Sequence, residues 1–114
     1  PILNPDFNNN DNTDDEVFNE IMMQLNLNND LIFAHFHGID DAGHSYGPYG
    51  MKTMEVIKKT DQYLKEISNN WDGKIIITSD HGMHQVGNHG DHGNILYQDM
   101  IVPYVITEGS LINE

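Results

Sequence analysis

Two stretches of the sequence set carboxylates and imidazoles within a few residues of one another, a pairing suited to gripping a divalent cation. Asp40 and His44 stand four apart, Asp80 and His81 are adjacent, and His89 follows nine residues after Asp80 with Gly87 and Gly90 close by. Carboxylate oxygen and imidazole nitrogen are donors that zinc accepts, while manganese and magnesium favour the oxygen-richer sets. The Asp40–His44 spacing alone is weak; joined to Asp80, His81 and His89 it points to a shared metal site. Triad chemistry finds no such support. Ser79, Asp80 and His81 are consecutive, and consecutive side chains cannot line up as nucleophile, base and orienting acid. No G-x-S-x-G elbow and no phosphate-cradling Walker loop occurs.

The elements around these donors predict how they are positioned. Ile75-Ile76-Ile77 sits in a run, residues 74–78, that reads as a strand buried on both faces. Asp80 and His81 then lie just past its carboxyl end, where open α/β sheets hold their ligands. Residues 31–37 read as a second strand, ending in Gly38-Ile39-Asp40-Asp41, with a glycine-rich loop over 38–50. A helix is expected from Met51 to about Ser68, with Met51, Met54, Ile57, Leu64 and Ile67 inward and its lysines in water. Strand, helix, strand in that order predicts a parallel pair with a right-handed crossover, hence an α/β fold with a mainly parallel sheet and flanking helices.

Upstream, Val17, Phe18, Ile21, Met22 and Leu25 recur at helical spacing over 14–26. Thr13 and Glu16 form a capping-box pattern, with Asp14 and Asp15 favourable at the positive end. Downstream come a long Gly/His loop, a short helical piece near Tyr97–Met100, and a strand over 102–107. His35 and His37 read as packed or hydrogen-bonded core residues, His84 and His92 as loop residues near the site, and Asp41 as a surface group or a support for a ligand. Residues 1–13 form an acidic, Asn-rich loop. A calcium loop through Asp6, Asn8 and Asn10 is the sharper alternative there, but Asp11 stands where its glycine belongs and Val17 where its closing glutamate belongs.

The chain has 114 residues, enough for one small domain. Eighteen acidic residues against five lysines, with no arginine, give a formal charge of −13 and exclude a basic surface for nucleic acid. Phosphate chemistry here would lack guanidinium clamps from this chain, so divalent cations are the natural substitute. Without cysteine there is neither disulfide nor thiolate ligand. No apolar run approaches the roughly 20 residues of a membrane span. The start, Pro1-Ile2-Leu3-Asn4-Pro5, has no initiator methionine or signal pattern and reads as a cut within a longer protein.

Asp40-Asp41-Ala42-Gly43-His44-Ser45-Tyr46-Gly47-Pro48 resembles the D-x-x-G-H-x-x-G-P segment of the type I phosphodiesterase/nucleotide pyrophosphatase branch of the alkaline phosphatase superfamily. Ser79-Asp80-His81-Gly82-Met83 is similar to its S-D-H-G-M segment. Gly87-Asn88-His89-Gly90 is closer to the G-x-H-G of glycosylphosphatidylinositol ethanolamine-phosphate transferases, and Asp99-Met100-Ile101-Val102-Pro103 matches the strand entry that follows. The likeness covers residues of about 31 to 109, the metal-site-bearing α/β core of a single partial catalytic domain, 1–114. It implies an alkaline-phosphatase-like fold and two divalent ions, zinc first and manganese or magnesium second, acting on a phosphate ester. One ion would be held by Asp40, His44 and His89, the other by Asp80 and His81. The family's second metal also takes an aspartate and a Thr or Ser nucleophile from an upstream half. Neither has a counterpart here, so no catalytic nucleophile is expected in this chain and the missing upstream half is an expected partner. The resemblance implies a metal-dependent phosphodiesterase or phosphatase in an extracytoplasmic or secretory setting. The alternatives are transfer of ethanolamine phosphate to a glycolipid and a catalytically silent metal-binding fragment.

Overall fold

A computed structural model describes residues 13–111, so the Asn-rich loop and the calcium-loop alternative lie outside the described residues. The elements in order are helices α1 (Thr13–Leu25), α2 (Gly38–Tyr46) and α3 (Met51–Asn69), strands β1 (Lys74–Thr78), β2 (His84–Val86) and β3 (His89–Asp91), helix α4 (Tyr97–Met100) and strand β4 (Tyr104–Glu108). The chain is α/β, but its described strands form two antiparallel pairs, β1 with β4 and β2 with β3.

The parallel sheet expected from the sequence is therefore not formed among the described residues. Its first strand is missing, because residues 31–37 are not in a strand. A strand is made by its ladder as much as by its own residues. Leu31 and Phe33 are 83% and 92% exposed, so this side of the apolar run has nothing laid against it among the described residues. β1 pairs instead with β4 in a register that sets Ile76 opposite Ile106. One face of β1 is half-buried and Ile76 on the other is exposed, so the isoleucine run is covered on a single face.

The glycine-rich stretch after His37 folds as α2 rather than a loop, and the reason lies in α1. The Asp14 carboxylate accepts the backbone N–H of His37 (2.8 Å) and of Gly38 (3.0 Å). The first amides of a helix have no partner within it, so a carboxylate from another element can cap them. Asp40 and Asp41 in the first turn and His44 in the last suit the helix dipole. Gly38 is required by this contact, since a Cβ there would run into the Asp14 carboxylate. The helix ends at Gly47, whose φ of 83° is a conformation that side chains with a Cβ resist.

Helix α3 spans the expected residues, and Ile57, Leu64 and Ile67 of the expected inward stripe are half-buried, but its amino-terminal half buries threonines instead. Met51 and Met54 are 80% and 44% exposed, while Thr53 and Thr60 are buried. Thr53 lies under the carboxyl end of α2, its hydroxyl 2.7 Å from the Gly47 carbonyl and 3.1 Å from that of Ala42. Thr60 donates to the Val56 carbonyl one turn back at 2.9 Å. Local carbonyls thus satisfy both hydroxyls, which is what lets threonine occupy a packed face. Toward the other end, Tyr63 stacks on Phe18 of α1 at 4.3 Å and on Phe36 at 5.6 Å. His35 is exposed rather than packed, and His37 is half-buried with Nδ1 3.2 Å from Asp41 Oδ1.

Candidate metal centre

Helix α2 carries Asp40 and His44 on one face, since residues four apart lie one turn above the other. Met83 packs this helix against strand β3. Its sulfur lies where a Cβ on Gly43 or on Gly90 would stand, 2.5 Å from each of those positions, so both glycines make room for it. The end of β1 delivers His81 from the other side.

Asp40 Oδ1 is the hub of the arrangement. His44 Nε2 lies 3.5 Å from it, His81 Nε2 3.6 Å and His92 Nε2 3.5 Å. The rings of His81 and His92 stack, centroids 3.6 Å apart and 17° between planes. These separations exceed the roughly 2.7–2.9 Å of a charge-assisted hydrogen bond. Asp40 Oδ1 is indeed buried with no hydrogen-bond partner among the described residues. Two of the three imidazoles are fixed in a revealing tautomer. His44 Nδ1 is 3.0 Å from the Gly90 carbonyl and His81 Nδ1 is 2.7 Å from the Gly82 carbonyl. A carbonyl only accepts, so each Nδ1 bears a hydrogen, and in the neutral ring each Nε2 then turns a lone pair toward Asp40.

A carboxylate oxygen and imidazole lone pairs converging without a proton between them repel unless a cation stands among them. Donors at about 2.0–2.1 Å from one tetrahedral zinc are about 3.3 Å from each other, close to the separations found. The residues therefore fit a metal ion. Asp40, His81 and His92 have ligand atoms all within 4.8 Å of one another. His37, Asp40 and Asp41 form another such group, but there His37 Nδ1 already faces Asp41 Oδ1 at 3.2 Å.

The residues expected to be ligands are distributed unequally. Asp40, His44 and His81 converge. Asp80 stands beside them, its Oδ2 3.8 Å from His81 Nε2, and is 63% exposed. His89 is exposed on β3, and its side chain makes no hydrogen bond, ion pair or ring contact among the described residues. His92, expected to lie near the site, is in it. The signal for this was Gly87-Asn88, a dipeptide that favours a two-residue hairpin turn. Gly87 takes φ 59° and the register pairs Val86 with His89 and His84 with Asp91. Continued by one step, that register returns residue 92 beside Met83, next to His81.

His84 faces Asp99 instead of the cluster, its Nδ1 2.8 and 3.0 Å from the two carboxylate oxygens. Burial alone would raise the Asp99 carboxyl. The hydrogen bonds from His84 and the Asn94 amide, with the nearby charges of His84 and His92, hold it below the usual carboxylate value.

A profile of the family described as "Type I phosphodiesterase / nucleotide pyrophosphatase" matches residues 1–108. The chain is similar to GPI ethanolamine phosphate transferase 1 of Emericella nidulans, 38% identical over 79 residues, which is 63% of this chain and 8% of that protein. The protein of the same name from Neurospora crassa is 40% identical over 68 residues, covering 54% of this chain and 7% of its own length. GPI ethanolamine phosphate transferase 2 of Schizosaccharomyces pombe is 37% identical over 70 residues, 54% of this chain and 9% of that protein. The chain thus spans less than a tenth of the length of these relatives. No solved structure matches it.

Proposed function

This chain belongs to the type I phosphodiesterase/nucleotide pyrophosphatase family, and from that premise we propose that it supplies the metal-holding part of a site that breaks a phosphoric ester bond. The observation that carries the proposal is the buried, unpartnered Asp40 Oδ1 facing the Nε2 atoms of His44, His81 and His92. Asp40, His81 and His92 would hold a divalent ion, zinc first by donor type and manganese or magnesium second, with His44 beside Asp40 but outside that trio. Asp80, exposed beside His81, is free to serve a second ion, as the two-metal expectation requires. Bound there, such ions supply charge neutralisation on a phosphoryl oxygen and acidify a coordinated hydroxyl or water.

The chain's own residues orient and exclude. The carbonyls of Gly90 and Gly82 hold the rings of His44 and His81, and Met83 closes the space between α2 and β3. Two hydroxyls at the end of β1 are engaged with backbone: Ser79 Oγ donates to the His81 carbonyl and Thr78 Oγ1 to that of Pro103. The attacking hydroxyl therefore comes from another part of the parent protein, in an extracytoplasmic or secretory-pathway setting. Among acceptors, the relatives favour an alcohol, giving ethanolamine-phosphate transfer to a glycolipid. Hydrolysis is the same chemistry with water as acceptor.

The test is a zinc titration of the 114-residue chain, with Asp40→Ala and His81→Ala beside it. Zinc content lost in both variants supports the reading; content equal to the parent chain in both removes it.

A further inference from the structure

We propose that Asp99 and His84 are positioning residues that clasp the neck of the loop bearing His81 and His92, and so set the distance between those two imidazoles. The proposal rests on reading the Asp40 cluster as a metal centre. The loop leaves the end of β1, turns at Gly87-Asn88 and comes back through His92 to Asn94. Its outgoing limb meets Asp99 twice. The Gly82 N–H donates to the Asp99 carbonyl at 2.8 Å, and His84 Nδ1 lies 2.8 and 3.0 Å from the carboxylate oxygens. Its returning limb meets Asp99 once, where the Asn94 N–H donates to Oδ2 at 2.9 Å. A single residue on α4 therefore ties both limbs, with His81 immediately before the first tie and His92 two residues before the last.

Nearer its tip the loop is held against α2, where the Gly90 carbonyl meets His44 Nδ1 and Met83 packs on Gly43; at its neck the clasp has less help. The β2–β3 ladder is three residues long on each side, and an isolated two-stranded hairpin is marginal in water. α4 is pressed against the outgoing limb, since a Cβ on Gly82 would meet the Gln98 carbonyl oxygen. The Asp99 and His84 side chains are 2% and 15% exposed. A carboxylate so deep is costly unless donors surround it, and its donors come from the two limbs it joins. Neither residue belongs to the cluster of ligand atoms around Asp40.

The experiment measures the zinc dissociation constant by competition with a chromophoric chelator. It also measures the nuclear Overhauser contact between the His81 and His92 ring protons in the metal-free chain. The proteins are the parent chain, Asp99→Asn, His84→Leu, His84→Gln and His81→Ala, each checked for cooperative unfolding. Asp99→Asn and His84→Leu are expected to weaken zinc binding by about tenfold, as lost support for a ligand does, and to weaken the ring contact. His84→Gln, whose amide still donates to Asp99, is expected to recover most of both. Should Asp99→Asn not fold, the His84→Leu and His84→Gln pair decides alone. The clasp is overturned if His84→Leu keeps the parent's affinity and ring contact while His81→Ala abolishes zinc binding. If His81→Ala binds zinc like the parent, it is the metal reading that fails. The ring contact, which needs no metal, then still decides the clasp, and its persistence in His84→Leu overturns it.

Discussion

The imidazole of His81 lies flat on that of His92, ring centres 3.6 Å apart, and both turn Nε2 toward the same oxygen of Asp40. Residues from the end of β1 and from the far limb of a hairpin are thereby brought to one carboxylate on α2. The consequences can be measured.

The first concerns which histidine binds. His92→Ala is expected to weaken zinc binding by tenfold or more, on the order of the loss of a ligand or its support. His89→Ala, at an exposed ring without partners among the described residues, should change it less. Isothermal titration of the two variants checks this. A larger loss in His89→Ala would return that residue to the ligand set and put His92 outside it.

Capping of α2 by Asp14 gives a second. Asp14→Ala removes the acceptor of the His37 and Gly38 amides and should cost about 1–2 kcal/mol in urea unfolding. Asp15→Ala breaks only the Lys59 pair at 2.8 Å, both side chains being well exposed, and should cost below about 1 kcal/mol. Equal losses in the two variants would mean the cap contributes nothing special.

Gly82→Ala tests the fit of α4 against the loop. The new Cβ would meet backbone, the Gln98 carbonyl and then that of Ile101 at 3.2 Å, which cannot swing aside as a side chain can. Destabilisation of about 1–3 kcal/mol is expected. A variant as stable as the parent in denaturant would show that this contact has slack.

Asp99 should leave a mark on acid stability. Although burial pushes its carboxyl up, its hydrogen bonds and neighbouring charge hold it below the usual carboxylate value. A carboxylate depressed in the folded state stabilises above its unfolded value, and that contribution is lost as pH falls through the folded one. Urea midpoints taken from pH 6 downward should therefore drop for the parent below about pH 4, and drop less steeply for Asp99→Asn. Parallel curves would exclude Asp99 as a source of the acid limb.

The isolated chain should not turn over an aryl phosphodiester, because it has no counterpart to the family's Thr or Ser nucleophile, and the Ser79 and Thr78 hydroxyls are engaged with backbone carbonyls. Sustained zinc-dependent hydrolysis that disappears in Asp40→Ala would show that the chain carries its own nucleophile or activates water unaided.

Much of the helical structure was legible from local pattern. Val17 to Leu25 repeats at helical spacing, and helix α3 follows the expected span to within a residue. Other expectations missed because they depended on partners. A run such as Leu31 to Phe36 has strand character, but a ladder needs a second strand, and none lies beside it among the described residues. The burial of Thr53 is of the same kind, because the Ala42 and Gly47 carbonyls that satisfy its hydroxyl meet it only when α2 and α3 are assembled.

By itself the sequence determined the donor chemistry: aspartate and histidine at one-turn spacing in Asp40 and His44, an Asp80-His81 pair after an apolar strand, no thiolate and no guanidinium. Those follow from residue type and from the short-range periods of helix and strand. Tertiary structure decided which imidazoles meet Asp40, that α2 is a helix capped from α1, and that β1 pairs antiparallel with β4. Each of these is a contact between residues far apart in the chain, fixed by a turn register, a buried carboxylate or an available edge, and no local period encodes it.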